Sequence, residues 1–420
     1  MALELLPLSS IIHRPLVDRD GERIGRIQDV VARLGPSAHP PVVGVVVRIE
    51  GRDLFVPVSK IASLERGKAS FDGRRVDLGR FERRQGELLL SEDLLARHLI
   101  NFVRGRLITA NEIELASVDG SWEVVGVEAG RRAWLRRVLG NRLGSRVSTR
   151  SVVDFAQIEP FVSHQPTSKL RIPYRRLSKL HPAQIADLVE AASHEEGEAI
   201  IEAVGLDREL EADVFEELDM DHQLEFIDQR TDVEAARLLS RMAPDDAADL
   251  ISEVDQERRL PLLESMAEPQ QRKVRHLLSY PTESAGGLMS PDYAAANAAV
   301  TVDAALDAIR TAAAPIEALN ALFVLDDDGR LVGTVPLAVL VRARPTAMVA
   351  DVMRSDPAHV HPHWDVHRIA RKMSDFNLTV VPVVDEDHAR VLGVLTVDDL
   401  VELLLPQGWR REFGMTAVEE

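Results

Sequence analysis

Ala321-Leu322-Phe323-Val324-Leu325-Asp326-Asp327-Asp328-Gly329-Arg330-Leu331-Val332-Gly333-Thr334-Val335 reads as a β-hairpin, because two apolar runs flank a turn of aspartates closed by glycine. The chain uses the same order again. Thr379-Val380-Val381-Pro382-Val383-Val384 is a second strand, Asp385-Glu386-Asp387 begins a turn, and Val391-Leu392-Gly393-Val394-Leu395-Thr396 returns. A helical period precedes each hairpin, over Ala304 to Thr311 and over Val366 to Phe376. Two helix–strand–turn–strand blocks, matched at Gly333 and Gly393, form the strongest internal repeat in the sequence.

Moving toward the N-terminus, the apolar spacing from residue 172 onward is helical. Ile185, Leu188 and Val189, then Ala199, Ile200 and Val204, fall at three- and four-residue steps. Pro182, Pro244 and Pro269 each open a fresh segment, as proline does in a first turn. Leu180–Leu188 and Met242–Leu250 share a shape, which indicates a degenerate repeat of helical hairpins. The first 140 residues instead carry short β-branched runs, such as Pro41 to Ile49, between turn signals at Asp18-Arg19-Asp20-Gly21 and Glu50-Gly51-Arg52-Asp53. Arg142, Arg146 and Arg150, followed by Ser163-His164-Gln165-Pro166, read as a basic linker.

Composition narrows the chemistry. At 420 residues the chain exceeds one hydrophobic core, and with no cysteine it has no disulfides, thiolate metal sites or thiol nucleophile. That inventory fits a cytoplasmic location. No window approaches the roughly 18 apolar residues of a spanning helix, so the chain is expected to be soluble, without a membrane-spanning segment. The net charge of −18 is uneven: residues 1–180 carry an excess of Lys and Arg, whereas the helical segment and the repeated blocks are acidic. Nucleic acid is an unsuitable partner for that acidic half, and cations or a basic surface would relieve its self-repulsion.

The two blocks look like a pair of CBS domains. Together with the preceding acidic helical region and the junction Glu283-Ser284-Ala285-Gly286-Gly287-Leu288-Met289, they resemble the cytosolic half of MgtE magnesium transporters. Such a transporter continues into membrane helices, whereas here Pro406-Gln407-Gly408-Trp409 and a polar tail follow. The first region is similar to the PRC-barrel family through Gly21–Val30, Gly44–Val47 and Phe55-Val56-Pro57, with an echo at Gly105–Thr109 and Trp122–Val127. The expected architecture is multidomain α+β: a PRC-like small β-barrel over 1–140, in two half-repeats 1–88 and 89–140, and a linker over 141–171. An all-α superhelical domain over 172–290, α/β CBS blocks over 291–344 and 345–405, and a tail over 406–420 complete it.

The resemblance implies a magnesium site made of carboxylates from facing modules, in keeping with a hard ion that retains most of its water. Asp245, Asp246 and Asp249 lie within one turn, and Asp365 and Asp399 match positions on the CBS side. Asn377 and His367 stand where the family has acids, so the cluster is thinned. Asp245 and Asp246 also read as first-turn acids favoured by the helix dipole behind Pro244. A Gly-x-x-Thr-x-x-Asp turn implies an adenine-nucleotide site, ATP or AMP in type, at Gly393, Thr396 and Asp399. Block one lacks it. The alternative is that Thr396 caps the next helix.

His359, His361, His363 and His367 are the densest histidine group. Without an accompanying carboxylate motif, His359, His361 and His363 read as polar loop residues. No phosphate loop or nucleophile elbow is present, so an enzyme is not expected. The expectation is a cytosolic regulatory protein sensing magnesium or nucleotide, a homodimer through its CBS blocks. Its alternatives are a regulatory subunit of a separate membrane transporter, or a scaffold whose barrel binds a protein partner from ribosome maturation, RNA processing or a membrane.

Overall fold

The computed structural model describes residues 5–35, 37–73, 81–84, 86–130, 152–160, 174–387 and 389–404, and the tail expected over 406–420 lies outside them. The chain divides into two compact units, residues 1–218 and 219–420.

In the first unit, strands β1 (Leu6–Pro7), β2 (Pro15–Val17), β3 (Arg23–Arg33), β4 (Val42–Ile49), β5 (Arg52–Pro57), β6 (Ile61–Glu65), β7 (Lys68–Phe71) and β8 (Glu87–Leu89) are followed by β9 (His98–Asn101), β10 (Arg106–Thr109), β11 (Glu112–Val118) and β12 (Ser121–Glu128). Two more, β13 (Val152–Asp154) and β14 (Ile158–Pro160), pair with β12 and β9. The linker expected over 141–171 is corrected at this point: among its described residues 152–160, the two strands flank one 3-10 turn at Phe155–Gln157 and join the sheets of the first region. Strands of three residues are too short to display an alternation, and their register comes from β12 and β9.

The two sets of strands share a local geometry at their starts. His13 and Ala96 both adopt a φ of 63°, unusual outside glycine. The His13 N–H donates to the Ile27 carbonyl at 2.8 Å, and the Ala96 N–H donates to Ala110 at 2.7 Å. In return Ile27 donates to Arg14 and Ala110 to Arg97. The segments that precede the two sets are exchanged. β1 pairs with β11 of the second set, whereas β8 pairs with β3 of the first. One core results, in which Val30 and Val45 join Ile113 and Val127, all fully buried.

Helices α1 (Tyr174–Leu177), α2 (Pro182–Ala191), α3 (His194–Val204) and α4 (Arg208–Glu216) complete this unit. Ile185, Leu188, Ile200 and Val204 are buried, as the spacing requires. These helices are fastened to the strands. His98 Nδ1 bonds Glu196 Oε2 at 3.2 Å, and Arg176 meets Glu159 at 3.0 Å.

The second unit begins with α5 (Met220–Asp228), α6 (Asp232–Leu239), α7 (Pro244–Glu253), α8 (Gln256–Ser265) and α9 (Glu268–Leu277). Pro244 occupies the first turn of α7, and Pro269 that of α9. α6 packs on α8, and α7 on α9. Arg258 offsets part of the acidic charge, reaching Asp228 at 3.0 Å and Asp232 at 2.9 Å.

The repeated blocks follow. In the first, β15 (Ala295–Asn297) lies parallel to β16 (Ala321–Leu325), which pairs antiparallel with β17 (Leu331–Pro336), and that strand with β18 (Arg354–Ser355). Helices α10 (Val302–Thr311), α11 (Leu337–Arg342) and α12 (Val349–Val352) accompany them. The second block has α13 (Val366–Phe376), β19 (Val380–Val384), β20 (Val391–Thr396) and α14 (Val397–Leu404). Here too lead segments are exchanged: Ser290, ahead of block one, bridges Val394 in β20, whereas β18, ahead of block two, pairs with β17. Phe323, Val380 and Val394 share one apolar cluster, so the blocks are packed together.

Candidate functional site

The junction between the helical region and the blocks is built on close backbone approach. A Cβ on Gly286 would stand 2.5 Å from the Tyr280 ring, and one on Gly287 only 2.3 Å from the Pro281 carbonyl, so both positions require glycine. The freed backbone then bonds to block two, with Ala285 N–H donating to Trp364 O and Gly286 N–H to Pro362 O, each at 2.9 Å. Ser284 bridges Asp365. Asp365 is the N-cap of α13, its Oδ1 accepting the Arg368 N–H at 3.0 Å. On the other flank, the Lys273 ammonium in α9 donates to both oxygens of Asp292, at 2.7 and 2.6 Å. The helical region is thus tied to block one by charge and to block two by backbone.

Asp245 and Asp246 lie in the first turn of α7, where the dipole favours acids, and Asp249 follows one turn later. Burial pushes the Asp249 carboxyl up to about 6, and Glu253 beside it acts in the same direction. Desolvation without an opposite charge is the condition that a cation relieves. Among the described residues, no three of Asp245, Asp246, Asp249, Asp365 and Asp399 bring their oxygens within 4.8 Å of each other. The structure therefore groups the three α7 carboxylates on one element and leaves Asp365 and Asp399 in helix-capping roles.

Thr396 and Asp399 are brought together at the start of α14. Asp399 Oδ2 accepts the Thr396 backbone N–H at 3.0 Å and its hydroxyl at 2.7 Å, so the threonine and aspartate of the Gly-x-x-Thr-x-x-Asp turn engage each other. The space over Gly393 is filled by the chain itself, since a Cβ there would stand 2.6 Å from the Ser290 carbonyl. Thr396 and Asp399 thus satisfy each other at the helix start.

Two features escaped sequence reasoning. Buried Asp29 accepts N–H bonds from Val30, Ser91 and Glu92, and buried Glu112 accepts from Ile113 and from the Ser9 amide and hydroxyl. Each carboxylate holds the exchanged lead segment of the other set. Burial pushes Asp29 up to about 6, outweighing its three donors. The parallel serines Ser9 and Ser91 are the available sequence signal. The second feature is Lys273–Asp292, which no local pattern marks.

The comparisons agree with this division. Residues 180–283 match the MgtE intracellular N domain, and residues 285–345 and 349–406 match the CBS domain. The chain is 31% identical over 231 residues to the magnesium transporter MgtE of Thermus thermophilus, covering 54% of this chain and 51% of that protein. It is 29% identical over 193 residues to that of Bacillus subtilis, covering 46% and 43%. The crystal structure of the cytosolic domain of the Mg2+ channel MgtE in complex with ATP superposes with a TM-score of 0.51 at 30% identity, over 55% of this chain and 93% of that one. Residues 180–406 are therefore a helical domain coupled to a CBS pair, a class of regulatory region. Within that class they are homologous to the cytosolic region of MgtE. The chain spans about half the length of these relatives, and among the described residues no helix is long and apolar enough to cross a membrane.

Proposed function

We propose that this protein is a cytoplasmic, non-catalytic regulatory module whose helical and CBS parts respond to magnesium and adenine nucleotide. The observation that carries the proposal is Asp249, a desolvated carboxylate set against Glu253 on the same helix as Asp245 and Asp246. Magnesium beside α7 removes that repulsion, and the state that binds it better gains population. In this reading Asp245, Asp246 and Asp249 meet the ion, through water where the span is long, and Asp365 and Asp399 supply the CBS-side acids in an alternative arrangement of their caps. Gly393, Thr396 and Asp399 receive the nucleotide when the Thr396–Asp399 bond opens, Thr396 toward phosphate and Asp399 toward ribose hydroxyls. The CBS pair provides a homodimer interface, and the regulated target is a membrane transporter.

The β module favours a second role. It has its own core and is fastened to the first helices through His98–Glu196, as suits a PRC-like scaffold that presents a protein partner.

Calorimetry with MgCl2 and separately with ATP on the purified chain tests the first proposal. Saturable magnesium heat that is reduced in Asp249→Asn supports it. No heat with either ligand removes it.

A further inference from the structure

His359 and His361, expected as loop residues, flank an isolated β-bridge. Val360 between them forms a parallel bridge with Val383, its N–H donating to Pro382 O at 3.0 Å while its carbonyl accepts from Val384 N–H at 2.9 Å. The Val360 side chain is fully buried. Backbone in this extended form sends alternate side chains to opposite faces, so the two half-buried flanking histidines share the face opposite Val360. Their rings stand 5.4 Å apart, centre to centre, at 78°.

Their hydrogen bonds fix which nitrogen is available. His359 Nδ1 lies 3.0 Å from the Pro357 carbonyl, and His361 Nδ1 lies 3.3 Å from the Val384 carbonyl. A carbonyl only accepts, so each Nδ1 carries the proton, and in the neutral ring each Nε2 presents a lone pair. Nδ1–H held by a backbone carbonyl with Nε2 left open is the arrangement that orients a metal-ligating histidine. Two imidazoles sharing an ion at about 2.0–2.1 Å with tetrahedral geometry place their centres about 5 Å apart, close to the spacing observed. The Trp364 ring lies 5.8 Å from His361 and walls one side, with Arg368 stacked at 3.7 Å over that indole.

We infer that His359 and His361 form a two-imidazole site for a borderline-soft divalent ion of the zinc, nickel or copper kind, with water completing the coordination. Magnesium, an oxygen-seeking ion, does not compete for it. His363 provides the internal control. It follows Pro362, whose carbonyl is held by Gly286, and the Trp364 N–H turns back to the His361 carbonyl, so the chain turns away from the bridge before His363.

The test is zinc titration of the full chain by calorimetry in millimolar magnesium, with long-range 15N spectra of the histidine rings. The expected result is saturable binding with the metal on Nε2 of two residues, weakened about tenfold or more by His359→Ala and by His361→Ala and unchanged by His363→Ala. Absence of binding, displacement by magnesium, metal on Nδ1, or equal loss in His363→Ala would each overturn the assignment.

Discussion

Met289 rests against Gly393, with only 2.9 Å between its Cγ and the position a glycine Cβ would take. Met353 rests in the same way against Gly333, its Sδ at 2.8 Å. Each block of the CBS pair is thus closed by the lead segment of the other. The segment carrying Met289 is also the exit from the helical region, and Ser290 beside it bridges Val394 in β20, whose end carries Thr396.

Substituting Gly393→Ala should therefore cost more than a surface change. The added methyl meets the Ser290 carbonyl at 2.6 Å, which is backbone and does not swing aside. A loss of about 1–3 kcal/mol is expected, typical of overpacking. Gly333→Ala should cost less, because its nearest neighbour is the flexible end of Met353 and the backbone it meets, the Arg354 carbonyl, stands at 3.0 Å. Denaturant unfolding of both variants checks the order, and equal midpoints would refute it.

Lys273→Met removes the ammonium that bonds both oxygens of Asp292, a residue whose side chain is only 21% exposed. The remaining carboxylate is left half-buried without its cation, a loss of about 1–2 kcal/mol. Because this pair joins α9 to the entrance of block one, hydrogen exchange should accelerate over residues 278–292 before the rest. Uniform acceleration would show that the pair does not fasten the two parts.

The pH dependence follows from Asp249 and Asp29, both raised from 3.8 to about 6. Between those values the native state holds more protons than the unfolded chain. Their contribution to stability is present at low pH, falls as pH rises through that window, and levels off above about 6. Asp249→Asn should flatten part of this slope and gain about 1 kcal/mol at neutral pH, less than the full shift because the group is partly solvated. Unfolding midpoints measured from pH 4 to 7 give the answer, and an unchanged slope in the variant would remove the electrostatic basis for cation binding at α7.

Ser9→Ala deletes the hydroxyl that Glu112 accepts in the exchanged lead segment. A buried carboxylate loses a partner, and a loss of about 1–2 kcal/mol is expected. Proteolysis should then release the first residues while leaving β11 protected. If cleavage is no faster than in the parent, the lead segment is held by its apolar contacts alone.

How much of this was legible in the sequence varied with the length of the signal. α13 was readable to the residue because eleven positions carry one period, and the second hairpin because two continuous apolar runs flank an acidic turn. β13 and β14 were not, since three residues fix no period and their partners lie far back in the chain. The pairing of β1 with β11 and of β8 with β3 was hidden in the apolar runs around Ser9 and Ser91. Of the candidate site, the common face of Asp245 and Asp249 followed from spacing. Thr396 and Asp399 were legible as a pair with two readings, because the same residues serve a helix start or a ligand. The extended form of His359-Val360-His361 depended on β19, beyond any local pattern.

The central claim is that a divalent ion relieves the carboxylates of α7. Thermal unfolding of the whole chain, with magnesium raised from micromolar to millimolar against calcium and against matched ionic strength, tests it most directly. The account predicts a larger rise in midpoint with magnesium than with either control, equivalent to about 2.7 kcal/mol at a hundredfold excess over the dissociation constant, and a smaller rise in Asp245→Asn/Asp249→Asn. Superimposable curves in all three salts would contradict it.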